Sequence, residues 1–159
     1  MNRILTILKN KDFLIISGGQ SGVDRAALDF ALENGIPCEG WCPAGRHAED
    51  GPIPNRYPLK ETKTRDYSAR TRLNIEDSDG TLIIYLKGMD EGTRYTLKHA
   101  NDMEKPVYII NENSGIKNIE FSDWLQVNKI NRLNIAGPRE SNAVGVYKFT
   151  LKLLLEIFR

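Results

Sequence analysis

The amino-acid sequence predicts an α/β fold: a three-layer sandwich with a five-stranded parallel sheet between two layers of helices. Three observations carry that prediction. Short β-branched runs alternate with helical patterns, as they do when each helix returns the chain to the next parallel strand. The run Phe13–Ser17 is apolar without interruption, which suits a central strand covered on both faces. The chain has 159 residues, a length at which one domain with its own core is the default.

Phe13–Ser17 is the first strand, and a helix follows from about Val23 to Asn34. Ala26, Ala27, Phe30 and Ala31 form its apolar stripe, with small residues for close contact to the sheet. Gly35 suits the position after the helix, and Pro37 prevents its continuation. A short strand at Cys38–Trp41 comes next. The segment Cys42–Thr64 then carries Pro43, Gly45, Gly51, Pro52, Pro54 and Pro58, so no regular helix is expected there. Ordered loops of that length are usually functional, which makes it a candidate lid or binding loop, with disorder as the competing reading.

Asp66–Asp77 reads as a helix with Tyr67, Arg70 and Asn74 at about one-turn spacing. Thr81–Leu86 is a strand, Lys87–Gly92 a loop and Thr93–Met103 a helix. Pro106 opens the strand Val107–Ile110. A helix at Ser122–Lys129, with Ser122 as its N-cap, leads to the strand Leu133–Ala136. The loop Gly137–Ser141 and an amphipathic helix from Ala143 to Phe158 close the chain. Right-handed crossovers restrict the strand order, and 2-1-3-4-5 is the order expected. Leu153 and Phe158 are expected to be exposed on the last helix, where they would suit a dimer interface.

A net charge of +1 argues against a nucleic-acid coat, so no nucleic-acid partner is expected. Cys38 and Cys42 stand four apart, with His47 and His99 as the only histidines. That is too few ligands at too loose a spacing for a structural zinc, so reduced thiols in a cytoplasmic protein are the expectation. Met1–Leu5 is a short apolar stretch soon broken by Lys9, Lys11 and Asp12, too short for a signal peptide. No run approaches the roughly 20 residues that span a bilayer, and no membrane partner is expected.

Two loops would leave the carboxyl ends of the strands flanking the switch point, where such sheets bind ligands. In the first, Gly18, Gly19 and Gly22 would let the backbone approach an anion closely, with the amides of Gln20, Ser21 and Gly22 and the side chains of Gln20 and Ser21 as donors. A purely structural turn is the competing reading. The ending of a Walker loop is missing. In the second, Gly92 offers close approach, and Thr93 either caps the helix or donates to an oxyanion. Among the basic residues between them, Arg46 and above all Arg70 are candidates, joined by Arg139 after the last strand, because planar guanidinium groups suit bidentate contacts to phosphate. Asp24, Asp79, Glu49 and Asp50 are candidate acids or water and metal contacts, and Asp24 also reads as a first-turn residue favoured by the helix dipole. No Ser/His/Asp or Cys/His set is present, and no residue is assigned a catalytic role.

Four segments resemble the molybdenum cofactor carrier family, within the wider lysine-decarboxylase-like (LOG-type) Rossmannoid proteins. They are Ile16–Leu28 (ISGGQSGVDRAAL), Gly40–Pro54 (GWCPAGRHAEDGPIP), Asp77–Ile83 (DSDGTLI) and Asn134–Ser141 (NIAGPRES). The resemblance implies one Rossmann-like ligand-binding domain over 1–159, a homodimer or homotetramer, and binding of molybdenum cofactor (molybdopterin) or another small phosphorylated pterin or nucleotide. It would put Gly18–Gly22 and Gly92-Thr93 around the phosphate. The related phosphoribohydrolases carry an arginine eight residues before a Ser-Asp pair, as Arg70 stands before Ser78-Asp79. Their Pro-Gly-Gly-x-Gly-Thr-x-x-Glu loop is not matched: Lys87–Thr93 lacks the Pro-Gly-Gly lead and Thr96 takes the glutamate's place, while Glu91 replaces the glycine that the carriers' Gly-Gly-Thr would imply. The loss of that acid favours a non-catalytic carrier over an N-glycosidic hydrolase of nucleoside monophosphates. A nucleotide-sensing module is the third reading.

Overall fold

The computed structural model describes residues 7–115 and 117–158, so the reading of Met1–Leu5 lies outside the described residues. In chain order the elements are β1 (Leu14–Ile16), α1 (Val23–Glu33), β2 (Cys38–Glu39), β3 (Trp41–Cys42), β4 (His47–Ala48), β5 (Gly51–Pro52) and β6 (Lys60–Glu61). These are followed by α2 (Tyr67–Asp77), β7 (Gly80–Ile84), α3 (Glu91–Asp102), β8 (Val107–Ile110), α4 (Asn118–Val127), β9 (Arg132–Ala136), a 3₁₀ turn (Glu140–Asn142) and α5 (Val146–Ile157). The main sheet has five strands, all parallel, as expected.

The order of its strands is not the expected one. The sheet runs β2-β1-β9-β7-β8, which is 2-1-5-3-4 when only its own strands are numbered. The last strand lies in the middle, with Leu14 beside Arg132 on one side and Gly80 beside Leu133 on the other. Burial explains why. Leu133, Asn134 and Ile135 are all buried, as a strand with neighbours on both edges and helices on both faces must be. β8, by contrast, forms an edge with Ile109 39% exposed. If β9 and α5 are counted as the first βα unit, the order becomes 3-2-1-4-5, that of a doubly wound nucleotide-binding sheet. The switch point then falls between β9 and β7, not between the first and third strands.

Alternation along the strands divides the interior. Ile15, Leu82, Ile84, Leu133 and Ile135 share one core with α1, α4 and α5. The alternate positions Thr81, Ile83 and Asn134 face the other way, where α2 and α3 pack on the sheet. Ala26 and Ala27 are fully buried, so α1 sits close to the sheet. Leu153 and Phe158 are buried too, against the expectation of an exposed pair. The Phe158 ring lies 5.3–6.1 Å from those of Phe13, Phe30 and Phe121, and Leu155 is the residue turned to solvent. α4 starts a turn before the expected N-cap Ser122, because Phe121 and Leu125, four apart, both reach the core.

The long proline-rich segment is folded. β3 pairs with β6 in parallel, β4 pairs with β5 antiparallel, and Cys42, Ala48, Ile53 and Tyr57 close a second small core on Leu28 of α1. Cys38 and Cys42 are free thiols, with both pushed up in pKa by burial. No helix among the described residues is long and apolar enough to cross a membrane.

Candidate functional site

A cleft of about 480 Å³ opens beyond the carboxyl ends of β1, β9 and β7. That volume is within the range of small-molecule sites, and its place is where doubly wound sheets bind ligands. One wall is α2. Asp66 caps this helix by accepting the Ser68 N–H at 3.0 Å, and Tyr67, Arg70, Thr71 and Asn74 fall on the face toward the cleft. Asn74 fixes the helix, accepting from the Trp41 N–H at 2.7 Å and donating to the Trp41 carbonyl at 3.1 Å.

The floor comes from the turn after β1. Arg70 reaches over Gly18 to Asp24, with Nη1 3.0 Å from Oδ2 and both side chains nearly buried, at 12% and 8% exposed. A Cβ on Gly18 would lie 2.0 Å from Arg70 Nη1 and 2.9 Å from Asp24 Oδ2, so glycine here makes room for the ion pair. Two of the three amides expected to face a ligand, those of Gln20 and Ser21, are used by the chain itself. Gln20 N–H donates to Asp24 Oδ2 at 3.3 Å, and Ser21 N–H donates to Gln20 Oε1 at 3.0 Å. Burial pushes the Asp24 carboxyl up, against Arg70 and Arg25, which hold it down. The Nε of Arg70 is buried with no partner.

The opposite wall is the start of α3. Asp90 is its cap, not Thr93: Asp90 Oδ1 accepts from the Thr93 N–H at 2.9 Å and from the Thr93 hydroxyl at 2.5 Å. Asn142 Nδ2 donates to the other oxygen at 2.9 Å. Burial alone would raise Asp90, but these bonds outweigh it and hold the carboxyl below its ordinary value. Gly92 is exposed at the mouth, with nothing closer than 4.0 Å to a would-be Cβ. Thr96, in the position where the related hydrolases carry glutamate, is buried and donates to the Gly92 carbonyl at 3.1 Å.

The third wall is the turn after β9. A Cβ on Gly137 would meet the Ile84 carbonyl at 2.0 Å, so this turn too is closed against its own chain. Arg139 and Asn142 project from it into the cleft. Beside them, Glu49 from the β4–β5 hairpin accepts from the Ser141 N–H at 3.1 Å, from the Ser141 hydroxyl at 2.5 Å and from the Ser21 hydroxyl. Burial raises Glu49, yet those bonds hold it below its ordinary value, with Arg139 Nε 3.5 Å away.

Of the expected site residues, Gly18, Gln20, Asp24, Arg70, Gly92, Thr93 and Arg139 line the cleft. Five do not. Gly19, at φ +79°, is packed against Leu59 and Ile53, and Gly22, at φ +82°, against the backbone of Pro138–Glu140. Ser21 turns away to Glu49 and accepts the Glu140 N–H at 3.2 Å. Arg46 spends its guanidinium on the carbonyls of Ile53, Pro54, Tyr57 and Leu59, at 2.8–3.2 Å, and so staples the long segment. Asp79 lies at the opposite end of the sheet, where it accepts the Asn131 and Arg132 N–H groups at 3.0 and 2.8 Å. Sequence reasoning missed Tyr67, Asp90, Tyr95, Asn134 and Asn142 as cleft residues. Asn134 carried a signal, being a polar residue in an otherwise apolar strand. Asn142 carried none while β9 was placed at the edge.

Residues 15–158 match the model of the circularly permutated YpsA SLOG family. Among solved structures the chain is similar to one described as "Putative molybdenum carrier protein" from Syntrophus aciditrophicus SB. The two share 45% identity over 91% of this chain and 92% of that one, with a TM-score of 0.86. A search of curated proteins found no match. The sheet itself has the form that the family description names: a doubly wound order whose first βα unit has moved to the end of the chain. The chain belongs to the circularly permutated YpsA SLOG family.

Proposed function

We propose that the cleft binds a small phosphate-bearing ligand, a pterin such as molybdenum cofactor or a nucleotide, and carries it without chemical change. The observation that supports this most is the placing of Arg70. Its guanidinium lies over the β1 turn with a buried, unpartnered Nε, and Gly92 at the open start of α3 lines the same ligand-sized cleft. Arg139 adds a second cation at the rim, and Tyr67 and Tyr95 add aromatic surface to the cleft wall. Among the described residues no group of three or more His, Cys, Asp or Glu could hold a metal ion, so molybdenum would come as cargo on the ligand's own sulfur atoms. The similar bacterial protein is named a molybdenum carrier, and that name supports the pterin over the nucleotide. Thr96 offers no ionisable acid where the hydrolases have one, which supports carriage over cleavage.

The test is to identify what co-purifies with the protein by mass spectrometry and metal analysis, then to titrate the stripped protein with AMP, inorganic phosphate and molybdate. Binding of a phosphorylated ligand with no ribose 5-phosphate released from AMP is the expected result. Release of ribose 5-phosphate moves the reading to a phosphoribohydrolase, and no binding of any phosphorylated ligand overturns it.

A further inference from the structure

Asp24 is a carboxylate in the place where the β1 turn should receive an anion. Its Oδ2 takes the Gln20 N–H and Arg70 Nη1, two donors that a ligand phosphate would use. The pair fills the space that Gly18 leaves open, and all three residues line the cleft. Arg70 Nε remains buried without a partner, so the guanidinium is only half satisfied in this arrangement. The Gln20 amide has a single hydrogen, so a ligand oxyanion that takes it displaces Asp24 Oδ2, and a second negative group held beside Asp24 in this nearly buried place is opposed by charge repulsion.

We infer that Asp24 is an internal counter-anion which a ligand oxyanion must displace from Arg70, and that Asp24 then takes up a proton from solvent. This rests on the binding reading above and adds what the site demands of its ligand. A dianionic phosphate can offer Arg70 more than a carboxylate does, whereas an uncharged nucleoside cannot and leaves the pair intact. Once Arg70 turns to the phosphate, Asp24 keeps only Arg25 on its own helix as a nearby cation, with Arg139 at the rim. Asp90 and Glu91 face it from α3 across the cleft. Burial already pushes the Asp24 carboxyl up, and both losing Arg70 and gaining a phosphate neighbour push it further the same way. Asp24 is therefore a specificity-determining residue in two respects: it selects for charge, and it ties affinity to pH.

The experiment is calorimetric titration of the full chain with AMP at pH 7.5–8.5, where the phosphate is already dianionic, in two buffers of different ionisation enthalpy. Adenosine and inorganic phosphate serve as the parallel probes. The wild-type protein is expected to take up about one proton per AMP or phosphate bound and none with adenosine. Its affinity for AMP should fall about tenfold as the pH rises across that range. Asp24→Asn should bind AMP at least tenfold more tightly, with no proton uptake and no pH slope. AMP binding to the wild type without proton uptake, or Asp24→Asn binding more weakly while folded by circular dichroism, overturns the inference and leaves the binding reading standing. The wild-type proton count decides even if that variant fails to fold. No binding by either protein overturns both.

Discussion

The turn after β1 and the start of α3 carry the same sequence signature, glycine beside a helix start at the carboxyl edge of a parallel sheet, but the chain uses them differently. At the β1 turn Gly18, Gly19 and Gly22 let protein approach protein: an ion pair, two aliphatic side chains and a neighbouring backbone fill the space that side chains would take. At α3 nothing crowds Gly92, which lies open at the mouth of the cleft. Glycine therefore marks close approach without saying what approaches. In both places a carboxylate of the chain holds helix-start donors, Asp24 through Gln20 N–H and Asp90 through Thr93.

Substitutions can break or sharpen this contrast. The largest effect is expected at Gly22→Ala, where φ is +82° and a Cβ would stand 2.5 Å from the Pro138 carbonyl and 2.8 Å from the Glu140 nitrogen. Denaturant melts should show a loss of about 3 kcal/mol or more; a loss below about 1 kcal/mol would mean that the turn is loose enough to open for a ligand.

Next comes Arg70→Ala, which leaves Asp24 buried without its nearest cation. The expected loss is about 2–3 kcal/mol near neutral pH, less than for a pair that cannot discharge, because the carboxyl can take up a proton. The sign with pH follows from its raised pKa. Protonated Asp24 is the favoured folded form, so the variant should be least impaired at acid pH and lose stability as pH rises. A loss independent of pH would show that packing, not charge, is what Arg70 supplies.

Removing the cap with Asp90→Ala should cost about 1 kcal/mol. Its carboxyl is held low, so the native contribution is present at neutral pH and fades as the pH falls below the ordinary carboxylate range, the opposite trend to Asp24. Thermal melts of wild type and variant that converge on acidification would confirm it. The smallest effect is expected at Gly92→Ala, a gain of about 0.5 kcal/mol from helix propensity in an open position. If ligand affinity drops while stability rises, α3 supplies the close approach that the β1 turn does not.

Much of this could be read along the chain. The alternation of apolar runs and helical stripes identified every strand of the main sheet, and the one-turn spacing of Tyr67, Arg70 and Asn74 put the three on one face of a helix, which the structure turns toward the cleft. Asp79 shows where such reading stops. Its type and spacing fit a family motif, but it sits at the amino end of β7, and only the pairing of β7 with β9 shows that its carboxylate is occupied by two amides there. Arg46 is similar: a basic residue in a loop looks available until four carbonyls are found around it.

The sequence by itself determined the fold class, the parallel sheet and the family, because these depend on local periodicity and on motifs that keep their spacing wherever the chain goes. The tertiary structure alone decided what the Ser17–Gly22 turn is. Strand order is set by which strands can be buried on both sides, a property of the whole sheet, and it moved the switch point from beside β1 to between β9 and β7. With β9 in the middle, the backbone of Pro138, Arg139 and Glu140 comes up against that turn, Gln20 and Ser21 spend their amides on Asp24 and Gln20 side chains, and Asp24 and Arg70 cover what remains. Hydrogen-bond donors are counted in the sequence, but whether they are spent is known only when their partners have folded around them.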